Sequence, residues 1–449
     1  MPLFSCYNSK HHNILMAKIF PFRALRYDPA RVSLSQVVTQ PYDKITPSMQ
    51  ARYYDASAYN LVRIILGKRE SADGQGNNVY TRAARDFSEW RRQGILRHDS
   101  QPSLYAYSQE FTAPGVSGRR YERRSFIALA QIEDYSAGVV FRHEQTLSKP
   151  KADRLDLLRA TGAHFGQIFV LYNDPGSQVE VTLFPQREPE ICVNDEYGVA
   201  HKLWPISNPE IIEQVRRKMA EQKLIIADGH HRYETALNYR NERRAAAGKQ
   251  PPDAAYERVM MTFVNAHSPG MLILPTHRLV FGLSNFEPGP MVAAARYFYG
   301  VRDVSREFDP GNPLALLPRT SPGETAMLAV TERQAFLFLA HPGAQHPALE
   351  TVSPRQAELD VVRLHKVVLG SVLNISEEAI REQRNLEYLR DAREAVQRVR
   401  SGGANVAFLL NPVPIEQMTA IALAGEVMPQ KSTDFYPKML SGLAIYAVD

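Results

Sequence analysis

Asp228, Gly229, His230, His231 and Arg232 stand side by side in the run Leu224-Ile225-Ile226-Ala227-Asp228-Gly229-His230-His231-Arg232-Tyr233-Glu234-Thr235-Ala236. A carboxylate, two imidazoles and a guanidinium so close together can exchange protons and neutralise an anion. Leu224 to Ala227 reads as a short buried strand, and the residues after Arg232 read as a helix that Gly248 ends. A helix that opens on such a turn leaves its first N–H groups without intrahelical acceptors, which suits a phosphate or a carboxylate. A purely structural reading has Asp228 capping the helix and Arg232 pairing with Asp228 or Glu234 at the surface. The density of functional groups directly after a buried strand favours the anion site, with Asp228, His230 and His231 as candidate catalytic residues and Gly229 and Arg232 as phosphate binders.

A second cluster runs His143-Glu144-Gln145-Thr146-Leu147-Ser148-Lys149-Pro150-Lys151-Ala152-Asp153-Arg154. Lys149, Lys151 and Arg154 are candidates to neutralise a phosphate, with His143 and Thr146 beside them. Glu144 is a candidate to accept a proton from a substrate hydroxyl or to hold magnesium. A solvated loop leading into a helix near Asp153 is the plainer reading. The third cluster, Met428 to Lys438, lies between an apolar helix ended by Gly425 and a closing strand. Its Lys431, Ser432 and Lys438 are candidate substrate-binding groups on a loop carried by regular elements. Pro275-Thr276-His277-Arg278 reads as structural, because His277 and Arg278, adjacent in a strand, face opposite ways.

The chain has no GxxxxGK[ST] loop, no GxGxxG and no GxSxG. His230 and His231 are adjacent, and no HxxxH or CxxC spacing supports zinc; neither zinc nor haem is expected. Cys6 and Cys192 are the only cysteines, so no disulfide framework is implied. No apolar run approaches the roughly 20 residues that span a membrane, and a cytoplasmic location is expected. The balance of 53 basic against 48 acidic residues is mildly basic, with arginines spread along helices. That arrangement favours small anions over nucleic acid, which is not an expected partner.

The elements that must position these groups can be read along the chain. At 449 residues, two domains are expected, with a soluble globular composition of 44% hydrophobic and 22% charged residues. Residues 1–15 lack signal-peptide features and are expected to be a disordered or misassigned N-terminal extension. Residues 16–280 form the expected phosphate-binding domain, which includes a strand over NLVRIIL and a long-armed hairpin from SLYAYSQEF and RSFIALAQIEDY. A Pro- and Gly-rich linker is expected over 281–325 and a C-terminal α/β domain over 326–449. The fold class is mixed α and β (α+β), with hairpins and α–β alternation.

The pieces FPFRALRY, VVTQPYDKI, NLVRI, HEQTLSKPKADRLDLLRA, IFVLY, LIIADGHHRYETAL, ILPTHRLV and MPQKSTDFYPKMLSGL resemble a widespread bacterial and archaeal family catalogued as domain of unknown function 1015. The resemblance runs from about Met16 to the C-terminus, departing at Gln40, where relatives carry a small residue or proline. More remotely, the strand–DGHHR–helix turn is similar to the phosphate turn of the ParB and sulfiredoxin superfamily, which includes free-serine kinases. That similarity implies a ParB/sulfiredoxin-like core with a large insertion, and contact between phosphate and residues 228–232. The expected function is phosphoryl transfer on a small hydroxylated metabolite such as free serine or phosphoserine, with a nucleotide and magnesium as expected cofactors. The kinase or phosphatase direction is left open, as is oligomeric state. The alternative is a ParB-like nucleotide-binding regulatory protein without substantial catalysis, although the sequence shows no helix-turn-helix module and no dense basic face.

Overall fold

A computed structural model describes residues 17–114, 118–145, 149–248, 253–320, 324–340 and 345–448. The expected extension, 1–15, lies outside them. The largest element is a nine-stranded mixed sheet. Its order is Val140–Phe141, Leu224–Asp228, Ile168–Tyr172, Arg258–Asn265, Arg120–Gln131, Leu104–Thr112, Ala200–Ile206, Ile191–Asn194, with Ile19–Phe20 pairing on Arg120–Gln131. Two pairings are parallel, Leu224–Asp228 with Val140–Phe141 and Arg258–Asn265 with Ile168–Tyr172; the rest are antiparallel. The expected hairpin is the pair Leu104–Thr112 and Arg120–Gln131.

The central strands are covered on both faces, which is why they read as unbroken apolar runs. Along Leu224–Asp228, Leu224 and Ile226 join one core, shared with Tyr233 of the following helix, and Ile225 and Ala227 join the other. That second core continues into a six-stranded antiparallel sheet ordered Gly300–Asp303, Ala335–Ala340, Thr325–Val330, Val406–Leu410, His277–Val280, Leu386–Leu389. The C-terminal residues Phe435, Met439 and Leu440 belong to the same core, so the last segment of the chain lies against the large sheet.

One local reading changes in the structure. NLVRIIL is not a strand: Val62–Ile65 is a helical turn whose first N–H bonds to Asn60 Oδ1 at 2.9 Å. Leu61, Val62, Ile64 and Ile65 are all buried, so the run carries neither an alternating nor a helical pattern to separate the two conformations. The apolar stretch at 271–281 divides at Pro275. Leu272–Leu274 pairs with Asp434–Tyr436, whereas His277–Val280 enters the six-stranded sheet. None of the helices among the described residues is long and apolar enough to cross a membrane.

Candidate functional site

Strand Leu224–Asp228 carries a register shift between Ile226 and Asp228, and helix His230–Ala247 follows after a single residue, Gly229. Gly229 has φ +93°, a left-handed conformation that glycine adopts without steric cost. Among the described residues no side chain caps this helix. A Cβ on Gly229 would come within 3.0 Å of the Arg232 guanidinium, so the missing side chain is also what lets Arg232 fold back over the turn.

Four stretches of sequence meet at this corner. A cavity of about 210 Å³ is lined by Tyr42 and Asp43, by Glu144 and Gln145, by residues 228–232, and by Gln430 and Lys431. The C-terminal loop is stitched to the second cluster by backbone bonds, Met428 N to His143 O at 2.7 Å and Gln145 N to Met428 O at 3.2 Å. Further along, Gln109 Nε2 and Arg123 donate to the carbonyls of Lys438 and Tyr436, which clamps that segment on the hairpin.

Asp228 is surrounded by cations. Lys438 Nζ lies 3.4 Å and Arg232 3.7 Å from Asp228 Oδ2. Burial works to raise the carboxyl's pKa, but Lys438, Arg232, Lys44 and Lys431 outweigh it and hold the group far below the usual carboxylate range. Arg232 also donates to the carbonyl of Gln167. Lys438 Nζ is bracketed by Asp228 and by Asp434 Oδ1 at 3.0 Å, so it supports the two carboxylates from behind and does not line the cavity.

Glu144 faces the same cavity with one oxygen fixed. Its Oε1 accepts from both N and Oγ1 of Thr433, each at 2.9 Å, and lies 3.6 Å from His143 Nε2. Burial opposes ionisation, yet the His143 contact, His230 and the Thr433 N–H bring the carboxyl down to about 2. His143 is fully buried; its Nδ1 is 2.6 Å from the Ile226 carbonyl oxygen and therefore donates. His230 accepts at Nε2 from the backbone N–H of His143 at 3.4 Å. Burial, then the neighbouring His143, lowers its pKa to about 3, so His230 is neutral at pH 7 with its proton on Nδ1.

The remaining candidates separate. His231 lines the cavity beside His230. Lys431, at φ +56°, lines it too, and its carbonyl is held by the buried Arg278 at 3.1 Å, which gives the His277-Arg278 strand an indirect part in shaping the site. Ser432 turns away: its Oγ donates to Pro429 O at 2.6 Å, and it borders a different cavity of about 830 Å³. Arg154 pairs with Asp153, donates to Ile65 O at 2.7 Å and stacks 4.2 Å from the Tyr42 ring, in a smaller cavity walled off by Tyr42 and Arg232. Thr146 lies outside the described residues, as do the side chains of Lys149 and Lys151. Tyr42, Asp43, Lys44, Thr433 and Asp434 were not among the sequence candidates. The PYDK run, placed far from the other clusters in sequence, was the available signal for the first three. Burial and the nearby Lys438 lower the Lys44 pKa to about 8, against the pull of Asp434 3.8 Å away.

The fold and the corner define a mixed α/β protein with a cation-ringed carboxylate at an uncapped helix start. The chain belongs to the family described as Protein of unknown function (DUF1015), whose model matches residues 19–362. No curated protein matches it. Among solved structures it is similar to a conserved hypothetical protein from Pyrococcus furiosus, at 13% identity and TM-score 0.34 over 72% of this chain and 95% of that one. It is similar to a free serine kinase in complex with AMP, at 14% identity and TM-score 0.34 over 71% and 92%. A third is SbnI with a C-terminal truncation from Staphylococcus aureus, at 10% identity and TM-score 0.29 over 70% and 85%.

Proposed function

We propose that the Asp228 corner binds a phosphoryl group and transfers it to or from a small hydroxylated metabolite of the size of free serine, with a nucleotide or water as the other partner. The observation that carries this reading is the convergence of Gly229, Arg232, Glu144 and Lys431 on one cavity around an ionised Asp228. Phosphoryl transfer asks chiefly for charge neutralisation and alignment, which helix-start amides and a guanidinium supply. The acceptor oxygen forms a bond to phosphorus as the donor oxygen leaves, and the acceptor's proton passes to Asp228 or Glu144. Both carboxylates are weak bases, which fits a reaction in which little proton transfer is needed before the phosphoryl group moves.

Asp228 and Glu144 are also the carboxylates that would hold magnesium, which needs only one or two protein ligands beside phosphate and water. The described residues contain no group of three or more metal-ligating side chains, so a dedicated protein-only metal cage is not part of this reading. When bound, magnesium would neutralise phosphate oxygens.

The deciding experiment is a panel of phosphate-release and phosphate-transfer assays with ATP, ADP, serine and phosphoserine, with and without magnesium. Transfer to serine supports the kinase direction, and release from phosphoserine supports the phosphatase direction. Nucleotide binding without turnover would leave a nucleotide-binding regulatory protein instead.

A further inference from the structure

A second cavity, of about 330 Å³, opens next to the first; Gln145 and Gln430 line both. Its lining is mixed: Arg381 borders it from an exposed position, and the rest is largely apolar or paired. Val352, Val362, Ile380, Val427 and Tyr388 supply apolar and aromatic surface, and Lys366 is neutralised by Glu377. His365 accepts from Arg278 at 3.4 Å, and burial together with Arg278 and Lys366 keeps it unprotonated. His365 and Lys366 sit on a π-helical stretch, Leu364–Val372, a rare conformation that tends to mark functional positions.

An apolar floor with a few polar groups at its edge suits a flat ring with hydrogen-bonding edges, with Arg381 at the exposed rim. We propose that this cavity seats the base of a nucleoside phosphate whose phosphate occupies the Asp228 cavity. The proposal rests on reading the Asp228 corner as a phosphate site. It also answers a question of size, since about 210 Å³ leaves little room for more than a phosphate and a small acceptor.

The test is calorimetric titration of the full chain with AMP, inorganic phosphate and phosphoserine, on the wild type, Thr351→Trp and Ile380→Trp. Thr351 is an exposed wall residue, so its variant keeps the test sound should the buried Ile380→Trp misfold. The expected result is AMP binding at least about tenfold tighter than phosphate. Each tryptophan should weaken AMP by about tenfold and leave phosphate and phosphoserine within about twofold. Equal affinity for AMP and phosphate, or AMP binding untouched in the folded variants, overturns the base subsite while the phosphate corner stands. Failure of all three ligands to bind the wild type removes the phosphate reading and this proposal together.

Discussion

Thr433 donates twice to one oxygen of Glu144, from its backbone N and from Oγ1, each at 2.9 Å. The same hydroxyl lies 2.8 Å from His143 Nε2, so one threonine joins an acid and a histidine that precede it by most of the chain. Thr433→Val removes the hydroxyl and keeps the backbone donor. The expected cost in urea unfolding at pH 7 is about 2 kcal/mol, the scale of a hydrogen bond to a charged group. Glu144 is depressed from its ordinary 4.5 to about 2, so its stabilisation is complete above pH 4.5 and is lost as pH falls toward 2. The gap between wild type and variant should therefore close in that window. Coincident unfolding curves at pH 7 would show that the hydroxyl does not hold the carboxylate.

Asp228→Asn separates binding from chemistry. The lost charge has the same sign as a phosphate, and Lys438 and Arg232 stay in place, so affinity for inorganic phosphate should hold or tighten. Turnover in the transfer assay should fall by about 100-fold or more, the scale of a lost general base. A variant with full turnover would take Asp228 out of the reaction.

Much of this corner was legible because its signals are local. A glycine between an apolar strand and a helix, flanked by Asp, His and Arg, specifies a turn that needs positive φ and leaves helix N–H groups open. The partners of Asp228 were harder. Lys438 could be singled out as a lysine on a loop, but its placement between Asp228 and Asp434 depends on the chain returning to the large sheet through Arg123 and Gln109. Ser432 and Lys431 are neighbours that part company because Arg278 holds the Lys431 carbonyl in a left-handed turn. The Asn60–Leu66 segment misled for a different reason: Leu61, Val62, Ile64 and Ile65 are all buried, and so short an apolar run has too little period to read.

Gly229→Ala tests the turn itself. At φ +93° an alanine pays a conformational cost of about 1–2 kcal/mol. Its Cβ would also press on the Arg232 guanidinium at 3.0 Å, and the arginine must shift. The expected outcome is a folded protein whose phosphate affinity drops by about tenfold, with Arg232→Met matching that loss and lacking the backbone penalty. Unchanged phosphate affinity in both variants would move the anion away from this helix start.

His230 makes the site sensitive to acid in a way that can be assigned to one residue. Its folded pKa of about 3 lies below the ordinary 6.5, so between those values the unfolded chain binds a proton that the folded protein refuses. The contribution is complete above pH 6.5 and declines as pH falls, by about 2 kcal/mol at pH 5 at the usual 1.36 kcal/mol per unit. Burial does most of this, with the neighbouring His143 next, and the backbone N–H of His143 is placed to donate to the unprotonated Nε2. In His230→Gln an acceptor remains and the titration is gone. Urea unfolding at pH 7 and pH 5 should therefore show wild type losing about 2 kcal/mol more than the variant across that interval. If both lose the same amount, burial and His143 are not holding His230 neutral, and the proton assigned to its Nδ1 must be placed again.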